Sequence, residues 1–115
     1  MNKQISNVLK KAGVPSHLLG YEYLGEAIEI VLADRSKLHA MTKELYPSIA
    51  KKHSSLPSRV ERAIRHAIKA GFYNLTHGEI KEMFGNTYDR YRNTTTNGNF
   101  TSVMVDMINY GEEAI

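Results

Sequence analysis

Arg59, Arg62, Arg65 and Lys69 recur at intervals of three and four residues, with His66 among them. That spacing puts side chains on one face of a helix. Guanidinium groups held there have a defined chemistry, because their planar forks make bidentate hydrogen bonds to phosphate or to a guanine edge. On a helical wheel these residues and Ser58 fill an arc of roughly 120°. The opposite arc, roughly 140° wide, holds Val60, Ala63, Ile64, Ala67, Ile68 and Gly71. The sequence therefore predicts a helix from Ser58 to about Ala70, closed by Gly71, that docks through small and branched residues and turns cations to solvent. A plainer reading is a solvated surface face. Faces serving only solubility more often mix lysine with glutamate, and this one is arginine-rich.

The charge distribution agrees with the first reading. The 115-residue chain has a net charge of +3. Between positions 51 and 69, Lys51, Lys52, Arg59, Arg62, Arg65 and Lys69 face only Glu61, a local balance of +5, so the remainder carries −2. One segment supplies the whole positive excess, as a polyanion binder requires.

The elements around this segment are helical throughout. Ile5, Val8, Leu9 and Ala12 form a first stripe, ended by Gly13 and Pro15. A second helix is expected from about His17 to Asp34, with Leu24, Ala27, Ile28 and Val31 inward. A third starts near Ser36 and meets Pro47, where a kink or restart is expected. Thr76 and Glu79 have capping-box spacing ahead of a short helix with Ile80, Met83 and Phe84. Residues 86–99 read as a long polar loop, and Asn97 as the cap of a last helix ended by Gly111. No strand alternation, repeat or low-complexity tract is visible. The expected fold is all-α, about six helices in a single domain over 1–115. Tyr21 and Tyr23 read as packing groups.

What precedes the cationic helix gives it a context. Pro47 to His53 reads as a short helix with Ala50 at a close crossing, followed by a brief turn in which Ser54 stands where glycine is common. This is the plan of a helix-turn-helix, here over about 47–70, whose second helix enters the major groove N-terminus first. Arg59 and Arg62 then lie where bases are contacted, and Lys51 and Lys52 where phosphates are. Glu61 has two readings. It could close a capping box with Ser58, or accept a hydrogen bond from a cytosine amine. His66 is divided between a phosphate contact and a half-exposed structural role.

The runs LYPSIAKK (45–52) and SRVERAIRHAI (58–68) closely resemble the C-terminal effector domains of the stage zero sporulation response regulators. The resemblance extends to GVPSHLLGYEYLGEAI (13–28), to FG (84–85), TN (96–97) and Phe100, and so covers essentially the whole chain. It implies a trihelical-type, wingless module of six helices that binds a short box on double-stranded DNA, often as head-to-tail pairs on tandem boxes. It also implies base reading by Arg59, Glu61 and Arg62, with Arg65 and His66 in the same recognition helix. Such relatives carry an N-terminal receiver domain. If Met1 is the natural start, phosphorylation cannot relieve inhibition here. Residues 86–95, NTYDRYRNTT, depart from the family pattern, having Thr94 and Thr95 where a lysine and proline are usual. The resemblance implies that this region lies near the face that touches the RNA polymerase sigma subunit and a neighbouring protomer.

Other function classes fit less well. With no cysteine, thiolate zinc sites and cysteine nucleophiles are excluded. His17, His39, His53 and His77 have no metal-ligand spacing and read as surface or packing residues. No nucleophile–base pair or carboxylate dyad is evident, so neither an enzyme nor a cofactor is expected. No apolar run approaches the ~20 residues of a membrane span, and the N-terminus lacks a signal-peptide pattern. A soluble, cytoplasmic bacterial protein is expected, with no membrane partner. Aromatic residues do not interleave with the cationic face as in single-strand RNA readers. The strongest rival is a stand-alone helical interaction module that pairs with a full-length sporulation regulator and modulates it without reading DNA.

Overall fold

The computed structural model describes residues 1–111, which form six α-helices and no β-strand. In chain order these are α1 (Lys3–Lys11), α2 (Leu19–Ala33), α3 (Tyr46–Lys52), α4 (Pro57–Tyr73), α5 (His77–Phe84) and α6 (Asn97–Tyr110). The all-α architecture expected from the hydrophobic pattern is the one observed. Asn2 starts α1 by accepting a 2.8 Å hydrogen bond from the Ile5 N–H, as a short polar side chain does at a helix N-cap. The helix buries Ile5, Val8 and Leu9, and Ala12 follows at its end. The capping box at Thr76 and Glu79 forms as its spacing requires, opening α5.

The stretch from Ser36 to Pro47 is not one helix. A 3₁₀ segment (Arg35–His39) and a wide π turn (Met41–Leu45) stand there, and α3 begins only at Tyr46. Asp34 organises the start by accepting from the N–H and the hydroxyl of Ser36. Pro47 has no N–H to offer a carbonyl four residues back. The turn before it closes instead through bonds five residues long, such as Leu45 N–H to the Ala40 carbonyl at 3.1 Å. Pro47 then occupies the first turn of α3, where its missing donor costs nothing. Of the apolar side chains expected inward here, only Leu45 is fully buried; Leu38 and Met41 are half-buried.

Two glycines set how closely the helices approach. A Cβ built on Gly20 of α2 would lie 2.0 Å from the Ala63 carbonyl oxygen and 2.7 Å from the Ala67 Cβ on α4. A Cβ on Gly71 would lie 2.7 Å from the Ala12 carbonyl oxygen. Gly71 was expected to end α4, yet the helix runs through it to Tyr73. The glycine serves the contact with the end of α1 rather than termination. The Asn74 side chain, just past α4, donates to the Gly13 carbonyl at 2.8 Å and closes the same junction.

Phe72, Phe84 and Phe100 cluster with centroids 5.0–6.4 Å apart, joining the far end of α4 to α5 and α6. Tyr88 adds an edge contact to Phe72 at 5.6 Å. The polar segment before α6 is more ordered than a long loop. It contains a tight hairpin in which Asp89 and Thr94 form a single antiparallel bridge. Thr96, not Asn97, caps α6, its hydroxyl accepting from the Asn99 N–H at 3.1 Å. No candidate helix among the described residues is long and apolar enough to cross a membrane.

Because the α2–α4 approach leaves no room for a methyl group, Gly20→Ala should destabilise the protein by about 2–3 kcal/mol through forced separation of the helices. Urea unfolding followed by circular dichroism would measure this; an unchanged midpoint would show that the crossing relaxes freely.

Candidate nucleic-acid interface

The α3–α4 pair has the expected helix-turn-helix form. His53 ends α3 with its N–H bonded to the carbonyls of Ile49 and Ala50, and the Ser55 N–H returns to the Ala50 carbonyl at 2.9 Å. Ser54 sits between them with φ of 52°, the left-handed conformation that usually selects glycine or asparagine. Ala50 is buried, and its small side chain lets the two helices meet. Leu56 precedes α4 in extended conformation and Pro57 occupies its first turn. No side chain caps this helix start. Ser58 therefore does not form the capping box that its spacing to Glu61 allowed.

From that start, α4 divides cleanly. Val60, Ile64, Ala67 and Ile68 are buried, while Ser58, Arg59, Arg62, Arg65, His66 and Lys69 are all exposed. Arg59, Arg62 and Lys69 have no ion-pair partner among the described residues. Glu61 is half-buried and lies 3.6 Å from Arg65 Nε, one helical turn on. Pairs at this spacing on an exposed face contribute only a few tenths of a kcal/mol, so the carboxylate and the guanidinium can exchange partners cheaply. Lys51, in the last turn of α3, is exposed and unpaired among the described residues.

Lys52 and His53 share a partner outside the motif that the sequence did not show. Glu26 of α2 takes both: one carboxylate oxygen accepts from Lys52 Nζ at 2.8 Å and the other contacts His53 Nε2. His53 also stands edge-on to Tyr23, with ring centroids 5.1 Å apart. Burial opposes charge on Glu26, but hydrogen bonds from Lys52 and His53 outweigh it and hold the carboxyl below its ordinary range. The same contact raises the Lys52 ammonium. The Lys52 side chain remains 71% exposed, so it keeps a solvent-facing charge while its terminal nitrogen is engaged.

A second tie was equally invisible in sequence. The Asn97 amide, in the first turn of α6, donates to the Tyr46 hydroxyl at 3.0 Å and to the Glu61 carbonyl at 3.3 Å. It bridges the first helix of the motif to the second. Burial raises the Tyr46 hydroxyl pKa, so it stays protonated at neutral pH. No group of three or more potential metal-ligating side chains is assembled among the described residues.

The lowered pKa of Glu26 means that its contribution is complete above the ordinary carboxyl value near 4.5 and is lost as pH falls through the folded value. Glu26→Gln should lower stability by about 1–2 kcal/mol at pH 7. The gap between wild type and variant should narrow at strongly acidic pH, as the lowered carboxyl of the wild type takes up its proton. Thermal melts at the two pH values would show this; a gap that stays constant with pH would exclude a charge-based clamp.

An exposed cationic helix, a tight turn with a left-handed residue and a supporting helix form the geometry of a DNA reader. Residues 5–108 match the protein family described as sporulation initiation factor Spo0A C terminal. The match spans most of the 115 residues and includes both helices of the motif. The chain therefore belongs to the Spo0A C-terminal family, the DNA-binding effector domains of sporulation regulators.

Proposed function

We propose that this chain is a sequence-specific transcriptional regulator that reads a short box in the major groove with residues 58–70. One observation carries the reading: Arg59 and Arg62 stand exposed on the first turns of α4 without an acceptor among the described residues. Arginines left unpaired beside a helix-turn-helix turn are suited to bidentate contact with guanine. Glu61, between them, supplies an acceptor for a cytosine amine once it leaves Arg65. Lys51 and Ser58 suit the phosphates at the mouth of the groove, and Arg65, His66 and Lys69 those farther along it. Lys52 contributes less than its charge suggests, because Glu26 already engages it.

The chain acts as one domain, in the bacterial cytoplasm at the nucleoid, without cofactor or metal. Head-to-tail pairing on tandem boxes and a contact with the RNA polymerase sigma subunit follow the family pattern. The rival module that binds a full-length regulator and ignores DNA would have no use for unpaired arginines at these positions.

Fluorescence anisotropy of a duplex carrying the family's box, compared with a scrambled duplex at two salt concentrations, tests the reading. Box binding should be at least ~10³ tighter than scrambled, with both falling as salt rises. Arg62→Ala should weaken specific binding by about 1–3 kcal/mol and relax base choice at one position. Lys51→Ala should weaken both duplexes alike and make the salt dependence shallower by about one unit of log–log slope. Equal and weak binding of wild type to both duplexes would favour the interaction module instead.

A further inference from the structure

The hairpin between α5 and α6 is a basic projection beside α4, closed by its own hydrogen bonds. Asp89 and Thr94 exchange backbone hydrogen bonds of 2.7 and 3.2 Å. The Asp89 carboxylate accepts from the N–H groups of Tyr91 and Arg92 at 3.0 and 3.1 Å, and Asn93 turns the chain with φ of 53°. Tyr88, at the base, packs on Phe72 and His77 and donates to Asn93 at 3.0 Å. The projection is therefore anchored to the end of α4 itself. Its tip carries Arg90, Tyr91 and Arg92, and Tyr91 is fully exposed.

Between this hairpin and α4 runs an open groove of about 810 Å³. Arg65 and Lys69 line one wall, and Tyr91 and Arg92 the other. Among the described residues, Glu61 is the one carboxylate in the lining. Arg92 reaches Asp89 only at 3.8 Å and keeps 83% of its side chain exposed, an arrangement that water and salt readily loosen. Arg90 faces the other side of the hairpin, toward His77 and Lys81. A strip of positive charge thus continues from the exposed face of α4, across the groove, to one side of the tip.

We propose that the hairpin is a second DNA-contacting element, gripping through Arg92 and Tyr91 the sugar-phosphate backbone that flanks the box. The proposal rests on the reading that α4 lies in the major groove. A helix seated there has phosphates along both edges of the groove, and a basic projection fixed beside its Arg65–Lys69 edge meets one of those strands. The charge of the groove and its continuity with the α4 face favour DNA over a protein occupant. The contact carries no base information, so it acts on affinity and leaves box preference untouched.

Arg92→Ala and Arg90→Ala remove the same charge from opposite sides of one tip. Neither alters Asp89 or the backbone bonds that shape the turn. Their affinities should be measured on a box duplex with long flanks, on one trimmed to the box, and on a scrambled duplex. Arg92→Ala should bind the long and scrambled duplexes several-fold more weakly, with a salt slope shallower by about one. It should keep the wild-type preference for the box. Arg90→Ala should stay close to wild type. Trimming the flanks should cost wild type several-fold and Arg92→Ala little. If the two variants weaken binding equally, the tip supplies only diffuse charge and the proposal fails. It fails also if Arg92→Ala behaves as wild type, or loses affinity regardless of flank length. Should Arg92→Ala melt at a lower temperature, Arg92→Gln gives the same comparison with a longer polar side chain. Wild type that cannot tell box from scrambled would instead overturn the α4 reading, and this proposal with it.

Discussion

The close approach of α4 to the rest of the molecule governs what its outer face can present. Gly20 admits the Ala63 carbonyl, and Gly71 admits the end of α1, so α4 lies against its neighbours over most of its length. Small residues at these crossings let Val60, Ile64, Ala67 and Ile68 seal the inner face without bulky intermediates. The cationic side chains are left as a coherent surface, since rotation of α4 about its axis would drive Cβ atoms into backbone. Recognition by a helix depends on such fixation, because a contact displaced by about 1 Å forfeits bidentate geometry.

The ties made by Glu26 and Asn97 extend that fixation to the first helix of the motif. Glu26 reaches from α2 to the end of α3, and Asn97 reaches from α6 to the start of α3 and the second turn of α4. Each uses polar bonds whose partners are far apart in sequence. The molecule carries no buried side-chain nitrogen or oxygen without a hydrogen-bond partner among the described residues, so these networks are satisfied and directional. The α3–α4 pair is held at both ends by elements outside it.

The sequence showed the division of α4 into apolar and cationic faces because helical periodicity records burial directly. The capping box at Thr76 and the presence of a brief turn around Ser54 were legible for a similar reason: both are local, with their partners within a few residues. The segment from 36 to 45 was misjudged because its apolar spacing mimics a stripe, while a proline farther on dictates wide and narrow turns. Gly71 looked like a terminator since glycine has two uses, stopping a helix and admitting a neighbour, and only the position of α1 decides between them. Glu26 and Asn97 left no signal at all. Pairings across 26, 27 and 51 positions (Glu26 to Lys52, Glu26 to His53, Asn97 to Tyr46) have no periodicity to betray them.

The anchoring of Tyr88 on Phe72 has a thermodynamic corollary. The far end of α4, α5, α6 and the hairpin share one aromatic cluster, so the basic surface is already ordered in the free protein. Association then loses little chain entropy and buries little new apolar area. Its heat-capacity change should be small, and its favourable entropy should come from ions leaving the duplex rather than from water leaving carbon. With the protein surface ordered beforehand, any adjustment of shape on association would fall on the nucleic acid.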